Sequence, residues 1–263
     1  MEDLNDIKKV EGIAIPGVKG GDSKPDLMLT QTHSLEIDAK KLRTQHIYTE
    51  VTDDTSAIAI SAYKSLRTRI LRTLDAQEIN SIMVVGPAAG VGKTLTAINL
   101  AVSIARHSRR TALLVDLDLK IPSVHRYFGF EPKGGIVDII TNDIPLESAL
   151  VSPGIERLTI LPGTQGYQDS TELLLSENMQ KLIKEIKSRY RERIVIFDTP
   201  PVLHCDDVPA LVPLMDSCLM VVKEGETQRR ELKQALEQLG RINIVGIVNN
   251  QSRDPIFNKP YYY

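Results

Sequence analysis

Ile82-Met83-Val84-Val85-Gly86-Pro87-Ala88-Ala89-Gly90-Val91-Gly92-Lys93-Thr94-Leu95-Thr96-Ala97-Ile98-Asn99-Leu100-Ala101 holds the transition on which the fold turns. Four consecutive apolar residues predict a strand buried on both faces, and the spacing after Lys93 predicts a helix. A strand, a glycine bend and a helix in that order make a phosphate cradle. Gly90 and Gly92 let successive backbone N–H groups converge on an anion, and the helix N-terminus adds partial positive charge. Lys93 can reach the outer phosphates and Thr94 can ligate Mg²⁺. The expected nucleotide-binding set is therefore Ala89, Gly90, Val91, Gly92, Lys93, Thr94 and Leu95. Pro87 stands where the strict pattern has its first glycine.

Outward from this stretch, short apolar runs recur at 112–115, 158–161, 194–197, 218–222 and 244–248. They are apolar nearly throughout, as strands covered by helices on both sides must be. Helical patterns are expected near 93–108, 171–189, 206–214 and 226–240. The expectation is an α/β fold: a doubly wound, mostly parallel sheet with helices on both faces. Tyr63, Leu66, Ile70 and Leu74 fall at helical spacing, with Lys64, Arg67, Arg69 and Arg72 around them. This predicts an amphipathic helix with a basic surface, either solvated or facing a partner. Residues 1–55, with breaker signals at Pro16-Gly17, Gly20-Gly21 and Pro25-Asp26, are expected to form a flexible polar tail. The expected organisation is thus a tail over 1–55, a domain over 56–250 and a second tail over 251–263.

Acidic residues end two of the predicted strands. Leu113-Leu114-Val115-Asp116-Leu117-Asp118 places two carboxylates at the carboxyl edge of the sheet, where open α/β folds bind ligands. Ile194-Val195-Ile196-Phe197-Asp198 repeats the pattern. Magnesium is held by one or two carboxylates together with substrate phosphates, so Thr94, Asp116 and Asp198 are candidate metal ligands. His204-Cys205-Asp206-Asp207 lacks a second ligand pair at zinc spacing and reads as a loop and helix start, with Asp206 or Asp207 as the cap.

Composition narrows the function classes. There are 32 Lys+Arg and 34 Asp+Glu, a formal net charge of −2, so nothing global favours nucleic acid as a partner. Two cysteines, Cys205 and Cys218, are too few for a disulfide framework and fit a reducing compartment. No secretory leader is expected, and no apolar run approaches the ~18 residues of a membrane span. The sequence closes on Tyr261-Tyr262-Tyr263, three of the eight tyrosines in the chain. From Gln251 the last 13 residues can extend on the order of 40 Å, enough to reach a neighbouring copy. Such a tail either docks on its own domain or is presented for modification.

Together, residues 56–263 resemble the bacterial tyrosine kinases of polysaccharide loci, P-loop autokinases of the deviant-Walker, MinD/ParA-like architecture. The resemblance rests on Gly90-Val91-Gly92-Lys93-Thr94 as Walker A, Asp116 and Asp118 as Walker A′, Asp198 in Phe-Asp-Thr-Pro-Pro as Walker B, and the terminal tyrosines. Ile121-Pro122-Ser123-Val124-His125-Arg126-Tyr127 and Glu172-Leu173-Leu174 are similar to family stretches. Ala89 and Lys120 replace the family's usual Pro and Arg. The Glu-x-x-Arg-x-x-Arg pattern used in ring assembly aligns with Ser61, Lys64 and Arg67, retaining only its last position. Ala88 stands where relatives that position division sites or segregate DNA carry a signature lysine.

The resemblance implies ATP and Mg²⁺ as cofactors and Lys93, Asp116, Asp118 and Asp198 as catalytic residues. Asp116 would be the base, and Asp118 would position metal water. Tyr261, Tyr262 and Tyr263 would be autophosphorylated in trans within a homo-oligomer. It also implies a transmembrane activator of the chain-length-determinant type, a tyrosine phosphatase opposing the reaction, and a cytoplasmic location held at the inner face of the plasma membrane through that partner. Two other readings fit the same loop: an assembly switch gated by nucleotide, and a positioning ATPase.

Overall fold

The computed structural model describes residues 33–252 except 36, 190 and 191. Its centre is an eight-stranded sheet. The strands are β1 (His33–Ser34), β2 (Ser81–Val85), β3 (Thr111–Asp116), β4 (Val151–Ser152), β5 (Leu158–Leu161), β6 (Arg193–Asp198), β7 (Ser217–Lys223) and β8 (Asn243–Asn250). They lie in the order β1-β4-β5-β3-β6-β2-β7-β8, and every pairing is parallel except β4 with β5. The mostly parallel sheet expected from the unbroken apolar runs is present. All six runs are strands, and only the two-residue strands β1 and β4 have no hydrophobic signature of their own.

Alternate residues of each strand feed opposite layers. Ile82, Val84, Ala112, Leu114, Ile194 and Ile196 pack on one face. That layer includes α1 (Ala39–Thr44), α2 (Asp54–Ala76), α3 (Lys93–His107) and α4 (Val124–Phe128). Met83, Val85, Leu113, Val115, Val195 and Phe197 pack on the other. There they meet α5 (Ile136–Thr141), α6 (Leu146–Ala149), α7 (Ser170–Leu175), α8 (Glu177–Ser188), α9 (Asp207–Leu211) and α10 (Arg229–Leu239).

Two predicted helices are divided. Ser176 interrupts 171–189 in extended geometry, and its Oγ caps α8 by accepting from the Met179 N–H at 3.2 Å. A hydroxyl that satisfies an orphan amide at a helix start competes with helix continuation. Pro213, which has no N–H, tightens the end of 206–214 into a 3₁₀ turn over Val212–Leu214. At this segment's start Asp206 is the N-cap without a side-chain cap bond, and Asp207 lies inside the helix, fully buried.

The expected tail boundary at residue 55 does not match the packing. Leu42 and Ile47 are buried in the α2–α3 layer. Asn99 straps the segment down: its Oδ1 accepts from the Tyr48 N–H at 3.0 Å and its Nδ2 donates to the His46 carbonyl at 3.0 Å. Asp53 then caps α2 reciprocally with Ser56. Two apolar anchors separated by polar residues leave no periodicity to read, which is why composition alone suggested a tail. On α2 itself Ser61 and Lys64 are exposed, whereas Arg67 turns inward and donates to the Ser103 carbonyl at 3.2 Å.

Candidate active site

The carboxyl ends of β2, β3 and β6 meet at one edge of the sheet. Asp116 is the register partner of Asp198, and Asp198 in turn pairs with Val84 of β2. The glycine loop therefore springs from the strand adjacent to the one that ends in Asp198. Its base is pinned by Val202 N–H on the Gly86 carbonyl (3.0 Å) and Leu203 N–H on the Pro87 carbonyl (3.1 Å). The Thr199 hydroxyl donates to the Val84 carbonyl at 2.8 Å.

Within the loop, Gly90 and Gly92 adopt φ of +77° and +95°, the left-handed region that glycine enters without steric cost. Gly92 is the N-cap of α3, so the first orphan N–H groups of a 15-residue helix open on the bend. Lys93 is buried, with its Nζ 3.4 Å from the Ala88 carbonyl. Burial lowers its pKa, against the pull of Asp198 and Asp118.

The three acids differ in their surroundings. Asp116 is fully buried and accepts three backbone N–H groups: Ser123 (2.9 Å) and Val124 (3.0 Å) on Oδ2, Asp118 (3.2 Å) on Oδ1. Burial pushes its pKa up to about 7 despite these bonds, with Asp118 adding to the rise. Asp198 is equally buried, and neither of its oxygens has a hydrogen-bond partner of ordinary geometry. Burial and then Asp116 raise its pKa well above the carboxylate range, while Thr94 and Lys93 oppose the shift. Asp118 is half-buried, accepts from the Ile121 N–H at 3.1 Å, and is raised chiefly by burial.

A buried carboxylate with both oxygens free of partners is what a hard cation needs, and Thr94 stands beside it. The donor set fits Mg²⁺. Among the described residues no three His, Cys, Asp or Glu side chains converge as a ready-made metal cage.

The expected residues Lys93, Thr94, Asp116, Asp118 and Asp198 thus share one edge, along with the loop from Ala89 to Leu95. Tyr261, Tyr262 and Tyr263 lie outside the described residues. Two contributors escaped the sequence reading. Asn250, the last residue of β8, donates from Nδ2 to the Val91 carbonyl at 2.9 Å across 159 positions of sequence. Asp207 accepts from Ser170 Oγ (2.8 and 2.9 Å) and Thr171 Oγ1 (2.6 Å) and holds Lys120 Nζ at 3.7 Å beside Asp118. Only the terminal position of Asn250 on a strand, shared with Asp116 and Asp198, hinted at its place.

The profile of the AAA domain family matches residues 79–250. The tyrosine-protein kinase YwqD of Bacillus subtilis is 30% identical over 76% of this chain and 84% of its own length. The tyrosine-protein kinase ptk of Acinetobacter johnsonii is 29% identical over 73% of this chain, but the match spans only 26% of that relative. Other curated relatives are likewise matched over about a quarter of their length. Among solved structures, the VpsO kinase domain superposes with a TM-score of 0.67 at 25% identity, covering 76% of this chain and 96% of that one.

Proposed function

This chain belongs to the bacterial tyrosine-protein kinase family, and we propose that it transfers the γ-phosphoryl group of ATP to tyrosine, with its own Tyr261, Tyr262 and Tyr263 as acceptors presented in trans by a second copy. The observation that carries the reading is the convergence of a left-handed glycine loop, a buried lysine and the register-paired Asp116 and Asp198 at one sheet edge.

In this reading the N–H groups around Gly90 and Gly92 hold the β- and γ-phosphates, and Lys93 neutralises their oxygens. Thr94 and Asp198 would hold Mg²⁺, which when bound screens phosphate charge and stabilises the leaving group. The phosphoryl transition state is loose, so the acceptor needs orientation and a base late in the reaction. A tyrosine hydroxyl, with pKa near 10, loses its proton as its oxygen bonds to phosphorus and the bond to the bridging oxygen breaks.

Asp116 and Asp118 divide the remaining work according to their exposure. Asp116 is enclosed by three N–H groups and orders the 117–124 segment, whereas Asp118 is part-exposed. The proton therefore goes to Asp118, and Asp116 positions it. This exchanges the two roles expected from the resemblance.

Phosphate on the terminal tyrosines adds roughly −1.5 to −2 charges each, so modified tails repel one another and leave. Control of exopolysaccharide synthesis or export is the corresponding biological role. No helix among the described residues is long and apolar enough to cross a membrane. The partner in this reading is a transmembrane activator of the chain-length-determinant type. Mass spectrometry of the purified full chain after incubation with MgATP tests the proposal. Phosphate on residues 261–263, lost in Lys93→Met, supports it. Steady phosphate release with unmodified tyrosines assigns the chain to the assembly-switch class instead.

A further inference from the structure

Asn250 touches the glycine loop at its tightest bend. Its backbone is fixed by the sheet: it is in register with Lys223 of β7, and its carbonyl accepts the Glu224 N–H at 3.0 Å. From that anchored position its amide reaches the Val91 carbonyl at 2.9 Å. The same amide occupies the space that a side chain on Gly92 would need, because a Cβ there would lie 2.0 Å from Nδ2. Glycine at 92 is called for by its φ of +95°, and a side chain there would also displace the Asn250 amide.

The contact has a directional consequence. The peptide joining Val91 to Gly92 is planar and trans, so its C=O and N–H point in opposite directions. A Val91 carbonyl held toward β8 sends the Gly92 N–H away from β8, into the bend where α3 begins. We propose that Asn250 is a positioning residue for phosphate recognition, fixing the 91–92 peptide so that the Gly92 N–H is aimed at an anion before the nucleotide arrives. The assignment rests on the nucleotide-binding reading above and adds to it a cause for the loop's preorganisation. Without the Asn250 donor the peptide is free to rotate, and the phosphates must bear the cost of ordering it.

The effect is confined to phosphates beyond the first, which separates it from a contact to the base. Calorimetric titration of the full chain with AMP and with ADP, in Mg²⁺, tests this for the wild type, Asn250→Ala and Asn250→Asp. The Asp variant keeps shape and volume while losing the donor, and thermal melting establishes that each variant is folded. The expected result is a fall in ADP affinity of about 3- to 10-fold with AMP affinity within about twofold, the range for losing one neutral hydrogen bond. In turnover assays KM for ATP should rise by more than kcat falls. AMP and ADP weakening by the same factor overturns the assignment, since the side chain would then serve the base. ADP binding unchanged in both variants also overturns it while leaving the nucleotide reading intact. A wild-type protein that binds neither ligand removes both.

Discussion

Asp116 and Asp198 face each other as register partners on the last rungs of β3 and β6, and both are completely buried. Burial raises the pKa of both, with Asp118 adding to the rise at Asp116 and Asp116 adding to the rise at Asp198. The pair differs in one respect. Asp116 accepts three backbone N–H groups and the Asp198 carboxylate accepts none, which in the proposed reading leaves Asp198 as the acid for the metal.

Asp198→Asn should therefore separate stability from function. The folded wild type binds more protons than the unfolded chain from about pH 4 up to the raised values, so its stability falls as pH rises through that window. Replacing Asp198 by the neutral isostere should flatten this slope and raise the melting temperature of the nucleotide-free protein by a few degrees near pH 7. Phosphoryl transfer should fall on the order of 100-fold. Melting curves from pH 4 to 8 beside a kinase assay check both; a variant less stable than wild type at pH 7 refutes the unpaired-carboxylate account.

Lys93→Met should leave the fold standing, because the lysine is lowered by burial and its removal relieves a desolvated charge. Nucleotide affinity should drop about 10- to 100-fold, the range for charge-assisted hydrogen bonds. Calorimetry with ADP measures this directly.

Ile47→Ala tests whether the segment before α2 is structural. With Ile47 only 1% exposed, cavity formation predicts a loss of about 2–5 kcal/mol in urea unfolding. A loss below about 0.5 kcal/mol would return this segment to a loosely attached tail.

Asp53 links α2 to pH. The Ser56 backbone bond, then the Ser56 hydroxyl, hold its carboxyl below the usual range. Its stabilising effect is thus present above about pH 4 and lost as pH falls through the lowered value. Asp53→Ala should melt below wild type at neutral pH, with the two curves converging as pH falls through the lowered value.

The thiols should react in sequence. Cys218 is fully buried in β7 and pushed up to about 12, while Cys205 is partly exposed with a smaller rise caused first by burial. Alkylation at pH 8 should label Cys205 slowly in native protein and Cys218 only in urea. Mass spectrometry of timed samples reads the order.

Much of this arrangement is encoded locally. Apolar runs such as Ile194-Val195-Ile196-Phe197, rich in β-branched residues, favour doubly covered strands, and the glycines at 90 and 92 permit a left-handed bend before a helix, so sheet, loop and acid-bearing strand ends were legible from residue spacing. Tertiary structure alone decided which strand lies beside which. It set Asp116 opposite Asp198, consumed Asp116 with the amides of 123 and 124, packed Ile47 against α3, and brought Asn250 to Val91. Those contacts depend on parallel register and on crossovers tens of residues long, and no periodicity in the chain records where a distant side chain will come to rest.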